Sequence, residues 1–198
     1  MRIIAGKYKS RIIDAPKDSD VRPTTDRVRE AMFSSVVSLL GTLDGASAFD
    51  AFAGTGALGF ECISRGAKYV VAFENDIKTY KNLIKNRDSL DLSKNVYSCF
   101  NADVKMSSFK MLDNIKFDVL FFDPPYITQP FEVIQILDKL KNNNNIFADA
   151  VVVYEHSASV NFCDIKNNFE EAKFKWINGK IYGDIAIDYM MFRGENNE

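Results

Sequence analysis

The residues best suited to chemistry are Asp123, Pro124, Pro125 and Tyr126, which directly follow the apolar run 117–122. Because proline has no N–H group to donate to a sheet, a buried strand over that run must end at Asp123. In open α/β sheets this carboxyl edge is where ligands bind. The Asp123 carboxylate and the Pro124 carbonyl accept hydrogen bonds from a planar exocyclic amine, while Tyr126 stacks on its ring. The tetrapeptide predicts attack by such an amine on an electrophile, with a loop-capping aspartate as the alternative.

A second group of residues is suited to holding the electrophile. Gly54, Gly56 and Gly59 form a turn that brings backbone N–H groups close to a ligand at the start of a helix. Glu74, 18 residues after Gly56, is placed to hold the hydroxyls of a ribose. The spacing also fits a dinucleotide site or a plain tight turn, but Asp50 at the mouth of the turn repels a pyrophosphate and attracts an ammonium group. S-adenosylmethionine, with a ribose, an amino group and no phosphate, therefore fits better than NAD.

Strands and helices that alternate along the chain would position both groups of residues at one edge of a sheet. Apolar runs and glycine or proline breaks predict strands at 46–52, 69–74, 96–101, 117–122 and 151–155, and helices at 26–40, 57–65, 77–90 and 131–140. Asp26 is expected to cap the first helix, with Val28, Met32 and Val36 on its apolar face. A polar break is expected at 141–145. Asp103, just after the third strand, is expected to accept from an adenine amino group.

The two ends of the chain predict antiparallel structure. Segments 172–177 and 185–193, around a turn at Asn178-Gly179-Lys180, predict a terminal pair of strands. Isoleucines at 3–4 and 12–13 predict a small hairpin or extended arm, followed by a loop over 16–23. The alternation of strands and helices predicts an α/β fold, with a mostly parallel sheet covered by helices on both faces. We expect one domain over 1–198, with a basic arm at 1–23 and a core at 24–198.

Composition narrows the class of protein. No apolar run approaches the length of a membrane span, and no secretory signal is evident, which predicts a cytoplasmic protein without membrane contact. Three cysteines without a CxxC pair argue against disulfides and a metal site. The net charge is −2 and the pI about 5.6. Residues 1–29 nevertheless carry eight lysines and arginines against four aspartates, or +4, which leaves −6 elsewhere. A basic end on an acidic body predicts a local contact with a polyanion.

Both motifs, in this order, resemble class I S-adenosylmethionine-dependent amino-methyltransferases. The run from Arg22 to Glu30 (RPTTDRVRE), the opening from Arg2 to Gly6 (RIIAG) and the segments 52–59 and 64–67 are similar to the RsmD family of small-subunit ribosomal RNA guanine-N2 methyltransferases. The similarity extends nearly end to end. One departure is Ser10, where a glycine is expected before Arg11.

The resemblance implies a seven-stranded Rossmann-like sheet and methylation of the exocyclic N2 of one guanine in 16S ribosomal RNA, within an assembled or assembling 30S subunit. It implies a bacterial monomer with S-adenosylmethionine as cofactor and no metal. The implied donor-binding residues are Thr25, Asp50, Phe52, Ala53, Gly54, Thr55, Gly56, Glu74, Asn75 and Asp103. The implied catalytic residues are Asp123, Pro124, Pro125 and Tyr126. The implied substrate-binding residues are Arg2, Lys7, Lys9, Arg11, Arg22, Thr24, Arg27 and Tyr126.

Other functions remain open at this point. The tetrapeptide also suits a DNA adenine-N6 methyltransferase, although no separate domain for reading duplex sequence is evident. A protein-glutamine methyltransferase is a further candidate, usually with Asn at position 123. A ribosome-assembly factor that acts by binding alone would not need Asp50, Glu74, Asp103 and Asp123 together. His156 follows a predicted strand and is interpreted as a satisfied histidine, with proton transfer as the alternative.

Overall fold

The N-terminal strap, residues 1–13, forms a small antiparallel turn, as predicted. The computed structural model describes residues 1–15 and 25–194. Arg2 and Ile12 form an antiparallel bridge, and the Ile3 N–H donates to the Arg11 carbonyl at 3.0 Å. Ile3 and Ile13 are buried, so the strap is packed against the core. Ser10 has φ +69°, a left-handed conformation that glycine adopts without strain. This conformation explains why a glycine was expected at position 10. The predicted loop at 16–23 lies outside the described residues.

The first helix, α1 (Asp26–Leu40), has its predicted span but a different cap. The hydroxyl of Thr25 accepts from the Val28 N–H at 3.4 Å, so Thr25 is the N-cap and Asp26 the first helical residue. The prediction that Asp26 caps this helix was therefore wrong. Asp26 accepts instead from Arg2 at 2.9 Å and from Arg29 at 2.7 Å. A carboxylate in the first helical turn is favoured by the helix dipole, which explains why it occupies this position.

The remaining elements alternate as predicted up to the fifth strand, and a short helix at 166–171, which was not predicted, precedes the last two strands. The elements are β1 (Ser47–Asp50), α2 (Ala57–Ser64), β2 (Tyr69–Glu74), α3 (Ile77–Ser89), β3 (Tyr97–Asn101), β4 (Phe117–Phe122), α4 (Pro130–Asn142), β5 (Ile146–Ser157), α5 (Lys166–Glu171), β6 (Phe174–Tyr182) and β7 (Ile185–Phe192). The strands form a seven-stranded sheet in the order β3-β2-β1-β4-β5-β7-β6. β7 runs antiparallel to β5 and β6, and the other pairs are parallel. The predicted fold class is confirmed.

Two apolar clusters cover opposite faces of the sheet. Phe33 of α1 and Leu83 of α3 belong to the cluster on one face, together with Phe121. The neighbouring Phe122 belongs to the other cluster, with Val133 of α4. Because successive side chains of a strand point to opposite faces, β4 is buried on both sides. Its six residues are apolar except for Asp118, whose carboxylate accepts from the Ser47 N–H at 2.7 Å.

The polar break predicted at 141–145 is shorter than expected, at 143–145, and the predicted turn at 178–180 lies inside a strand. α4 continues to Asn142. The buried Asn145, immediately before β5, donates to the carbonyls of Leu112 and Ile115 at 2.8 and 2.7 Å, which fixes the chain at the start of that strand. The predicted turn at Asn178-Gly179-Lys180 was wrong, because these residues lie within β6. Gly179 faces Asp188, and a Cβ there would lie 2.2 Å from the Asp188 Oδ1 atom. The chain turns instead at Gly183, with φ +64°.

Two kinds of feature are absent from the part of the chain that the structure describes. Among residues 1–15 and 25–194, no helix is long and apolar enough to span a membrane. The same part of the chain has no group of His, Cys, Asp and Glu side chains arranged to hold a metal ion.

Candidate functional site

The acceptor tetrapeptide lies in the turn between β4 and α4. Pro124 is buried, whereas Pro125 and Tyr126 are exposed, the latter to 65%. The Thr128 N–H donates to the Pro125 carbonyl at 2.8 Å, which closes the turn immediately after the tetrapeptide. A ring held on a tight turn and open to solvent is suited to stacking on a flat partner.

Asp50 and Asp123 are brought together by the pairing of β1 with β4. Asp50 pairs with Phe121, two residues before Asp123, at the carboxyl edge of both strands. Asp50 is 1% exposed, and neither of its carboxylate oxygens has a hydrogen-bond partner among the described residues. Burial, with the charges of Asp123 and Glu74, raises the pKa of Asp50 to about 8. The N–H groups of Phe52 and Gly59 offset part of this effect, although neither meets hydrogen-bond geometry with the carboxylate. Burial also raises the pKa of Asp123 to about 6. A cation bound between these two carboxylates would favour their ionised forms.

The glycines of the donor loop, residues 50–59, have different roles. A Cβ on Gly54 would meet nothing within 4 Å, so space is open beside this residue. A Cβ on Gly56 would lie 2.3 Å from Leu83 and 2.4 Å from Phe60, and a Cβ on Gly59 would lie 2.3 Å from the Tyr97 hydroxyl. Of the three, Gly54 is therefore the glycine positioned for a ligand, while Gly56 and Gly59 permit close packing beneath the loop.

Glu74 joins the donor loop to the end of β2. Its carboxylate accepts from the Gly54 N–H at 2.9 Å and from the Asp76 N–H at 2.7 Å. Partial burial raises the pKa of Glu74. Each carboxylate oxygen can accept more than one hydrogen bond, so Glu74 retains acceptor capacity for a pair of hydroxyls. The side chain of Asn101 donates to the carbonyls of Glu74 and Asn75 at 2.9 and 3.0 Å, which fixes the strand end.

Asp103 lies two residues beyond β3, at the same edge of the sheet as Glu74. Its Oδ1 atom accepts from the Lys105 N–H at 2.9 Å, which starts a short 3-10 helix at Val104–Met106. Lys105 in turn pairs with Glu132 of α4 at 3.2 Å. The contact of Asp103 with an adenine remains a prediction. The position of Asp103, at the same sheet edge as Glu74, is compatible with that contact.

The predicted substrate-binding residues are spread over the strap and α1. Lys7, Lys9, Arg11 and Arg27 are exposed, and Arg2 is held by Asp26. Arg11 donates to the carbonyl of Ser89, at the end of α3. Thr25 serves as the helix cap described above, and its contact with a donor remains a prediction. Arg22 and Thr24 lie outside the described residues.

The strap is attached to α2 by a set of hydrogen bonds that the sequence patterns did not indicate. The Glu61 carboxylate accepts from the Ile4 and Ala5 N–H groups at 2.8 and 3.0 Å and from Arg65 at 2.7 Å. The Lys7 N–H donates to the Ser64 carbonyl at 2.7 Å. The available signal was Glu61 itself, a charged residue in a mostly apolar helix, because a buried carboxylate needs hydrogen-bond donors from another segment.

Two further buried polar residues support the site. Asn86 of α3 donates to the Thr55 carbonyl at 3.0 Å and to the Asp14 carbonyl at 2.9 Å, so it joins the donor loop to the segment after the strap. Arg29, 2% exposed, donates to the Arg2 carbonyl at 2.7 Å as well as to Asp26. Both residues link elements that are far apart in sequence, which single-sequence patterns do not show.

His156 has partners for both ring nitrogens. Its Nε2 atom lies 2.7 Å from the Asp188 Oδ2 atom, and its Nδ1 atom lies 2.9 Å from the Ser157 carbonyl oxygen. Trp176 donates to the other Asp188 oxygen at 2.7 Å. The buried group of His156, Asp188 and Trp176 joins β5, β7 and β6, which agrees with the interpretation of His156 as a satisfied histidine.

The geometry of the edge suits a donor with a cationic amino group and a ribose. Asp50 supplies a buried carboxylate without a hydrogen-bond partner in the described part of the chain, Glu74 supplies acceptors at the next strand, and space is open beside Gly54. An unpartnered buried carboxylate is costly, and a bound cation would offset that cost. The amine-accepting tetrapeptide lies on the neighbouring strand β4, next to β1.

Sequence comparison identifies a family and named relatives. The sequence model of the family described as Conserved hypothetical protein 95 matches residues 1–188. Ribosomal RNA small subunit methyltransferase D of Haemophilus influenzae is 34% identical over 162 residues, covering 78% of this chain and 78% of that protein. The protein of the same name in Escherichia coli K12 is 31% identical over 201 residues, covering 98% of this chain and 90% of the relative.

Solved structures share the fold. The Escherichia coli protein named Putative methyltransferase yhhF superposes with a TM-score of 0.79 at 27% identity, over 98% of this chain and 99% of that one. Magnesium protoporphyrin IX methyltransferase of Synechocystis, solved with bound S-adenosylmethionine, has a TM-score of 0.63 at 16% identity, over 87% of this chain and 86% of that one. The second similarity concerns the fold alone.

Proposed function

Since the chain belongs to the family described as Conserved hypothetical protein 95, the RsmD family of methyltransferases, we propose that it methylates the exocyclic N2 of a guanine in small-subunit ribosomal RNA. The methyl donor in this proposal is S-adenosylmethionine, and the RNA is part of an assembled or assembling 30S subunit. An enzyme with this substrate works in the cytoplasm. Two relatives that are at least 31% identical carry names that specify small-subunit ribosomal RNA, which supports the RNA class.

The observation that carries the proposal is the pair Asp50 and Asp123 at one sheet edge. Asp50 is a buried carboxylate without a hydrogen-bond partner among the described residues, and Asp123 starts the amine-accepting tetrapeptide on the adjacent strand. One carboxylate suits the cationic end of a donor and the other suits an acceptor amine. A fold that only binds RNA has no need to hold two such carboxylates close together.

The donor would be held by residues at the ends of the first three strands. Asp50 would pair with its amino group, Glu74 with its ribose hydroxyls and Asp103 with its adenine. The loop residues Phe52, Ala53, Gly54, Thr55 and Gly56, together with Asn75 and Thr25, would line the remaining surface. When bound, S-adenosylmethionine supplies an electrophilic methyl group attached to sulfur.

The acceptor would be held by the tetrapeptide. A guanine turned out of its stack would lie against Tyr126, and Asp123 and the Pro124 carbonyl would accept from its N2 amine. These two hydrogen bonds orient the nitrogen lone pair toward the methyl carbon. Burial raises the pKa of Asp123, and a bound cationic donor would lower it again, which favours the ionised carboxylate that accepts a hydrogen bond from the amine. Asp123 would then take the proton that the amine loses, or pass it to water.

A parallel transfer assay tests the substrate. Tritium from labelled S-adenosylmethionine is followed into small ribosomal subunits, naked 16S ribosomal RNA and double-stranded DNA, and labelled RNA is digested to find the modified nucleoside. We expect label in N2-methylguanosine of the small subunits. Label in DNA with none in the subunits would make the chain a DNA methyltransferase, and label in none of the three would favour an assembly factor that acts by binding.

A further inference from the structure

A groove runs along the outer edge of the sheet, away from the acceptor tetrapeptide. Its volume is about 640 Å³, and it lies between α3 and β3. β3 is the end strand of the sheet and is hydrogen-bonded to β2 on one side. Three strand spacings separate β3 from β4, or roughly 14 Å at about 4.8 Å each, so the groove is distinct from the site of Asp123.

The charged residues that line the groove are all cations. They are Lys81 and Lys85 on α3, Arg87 at its end and Lys94 in the loop before β3. Within residues 1–15 and 25–194, the three lysines make no ion pair, whereas Arg87 pairs with Asp88 at 2.8 Å. In a chain with net charge −2, this concentration of unpaired positive charge marks a surface for a polyanion.

Two aromatic rings line the same groove. Tyr80 and Phe100 are partly exposed, and Phe100 stacks on the buried Phe73 with ring centroids 5.2 Å apart. The Tyr80 hydroxyl lies 3.5 Å from the Cys99 carbonyl, which attaches the ring to the edge strand. Cations that follow a backbone, together with rings on which bases stack, are the combination that binds single-stranded nucleic acid. An acidic peptide would use the cations but has no need of the rings.

The groove adjoins the basic strap through α3. Arg11 donates to the carbonyl of Ser89, the last residue of α3. The Asp14 N–H donates to the side-chain oxygen of Asn86, also on α3, at 3.0 Å. Arg11 of the strap therefore lies beside the last turn of α3, the helix that carries Lys81 and Lys85.

We propose that this groove binds the phosphate backbone of a single-stranded segment of the substrate RNA, outside the nucleotide that is methylated. The inference rests on the proposed function for the identity of the RNA. It assigns the groove a role in affinity, because the groove lies about three strands from the reacting groups. Phosphate contacts position a nucleic acid and account for much of its affinity, and they make that affinity depend on salt.

The test compares two triple variants of equal charge. Lys81, Lys85 and Lys94 are replaced by Ala in one, and the exposed Lys68, Lys110 and Lys175 are replaced by Ala in the other. The equilibrium dissociation constant for naked 16S ribosomal RNA is measured without a methyl donor, over a range of salt concentrations. We expect the groove variant to bind about tenfold more weakly, with its salt slope reduced by roughly 2, since each phosphate contact on a single strand contributes about 0.7.

The outcomes separate this inference from the proposed function. Equal dissociation constants for the two triple variants would overturn the inference, even if the wild type methylates ribosomal RNA. A loss confined to the groove variant would support it, even if the wild type methylates no RNA. Polyglutamate that competes with RNA at equal charge concentration would overturn RNA as the occupant. Affinity for S-adenosylmethionine, measured by calorimetry, should be the same in all three proteins and shows that the groove variant is folded.

Discussion

The Glu61 carboxylate in α2 accepts the backbone N–H of Ile4 at 2.8 Å, across 57 residues of chain. Glu61 is fully buried, and its other oxygen accepts from Ala5 and from Arg65. The strap is therefore held by the helix that follows the donor loop, and displacement of the strap would expose a buried carboxylate. The RIIAG opening thus has a structural role beside any contact with RNA.

Replacing Glu61 by Ala should lower the free energy of unfolding by about 3 kcal/mol or more. The substitution leaves the half-buried N–H groups of Ile4 and Ala5 and the Arg65 guanidinium without their acceptor. Urea denaturation followed by circular dichroism measures the change. Glu30→Ala, at an exposed position of α1, is the matched control and should change stability by about 0.5 kcal/mol or less. Equal effects of the two substitutions would mean that the contacts of Glu61 with the strap contribute little.

Asp123→Ala should lower the rate of methyl transfer by about 100-fold or more while donor binding is retained. The variant loses the carboxylate that accepts from the amine and takes its proton, and such a group contributes roughly 10²–10⁴ in rate. Single-turnover transfer to small subunits and calorimetry with S-adenosylmethionine measure the two quantities. Asp138→Ala, which removes an exposed carboxylate on α4, is the control. Turnover at the wild-type rate in Asp123→Ala would exclude Asp123 as a catalytic residue.

The stability of the ligand-free protein should fall as pH rises from about 4 to about 8. Asp50 has a pKa of about 8 in the folded chain and near 3.8 when exposed, so between these values the folded state binds the proton more tightly. The unfolded state therefore holds fewer protons, and the free energy of unfolding decreases with pH. In Asp50→Asn this decrease should be smaller by roughly 3–4 kcal/mol, measured by urea denaturation at pH 5 and pH 8.

The same group links donor binding to proton release. A cationic amino group pairs with Asp50 only in its ionised form, so binding at pH 7 should release a proton. Calorimetry in phosphate and in Tris, which differ in heat of ionisation, measures this release. Identical apparent enthalpies in the two buffers would show that Asp50 is already ionised before the donor binds.

Ser10→Gly should raise the free energy of unfolding by about 0.5–1 kcal/mol. Ser10 has a left-handed backbone conformation, which costs a residue with a Cβ atom roughly 1–2 kcal/mol, and part of the gain is lost to the greater freedom of glycine in the unfolded chain. Thermal and urea denaturation measure the change. Ser34→Gly, at an exposed position within α1, should have the opposite sign, because glycine disfavours a helix interior. Destabilisation by both substitutions would show that Ser10 makes a contact that outweighs its strain.

Local patterns predicted the parts of the fold that local chemistry determines. The strands ending at Glu74 and Phe122 have their predicted bounds, because each is a continuous apolar run and the Pro-Pro pair after Asp123 cannot extend the second one. The predicted position of the turn after β6 was wrong. Asn178-Gly179 has the residue types of a turn, but Gly179 is there because a side chain at this position would clash with Asp188 on the paired strand. Contacts between distant segments, such as those of Glu61, Asn86 and Arg29, have no periodic signal. They depend on which buried polar groups meet after the chain has folded.

The attachment of the strap to α2 also sets an order of events during synthesis. Ile4 is translated 57 residues before Glu61, and at about 5–20 residues per second this interval is roughly 3–11 s. Throughout that interval the carboxylate that receives the Ile4 and Ala5 N–H groups has not yet been made, so the segment with Lys7, Lys9 and Arg11 has no α2 to bind. The strap is therefore one of the later parts of the fold to reach its place, although it precedes α2 in the chain.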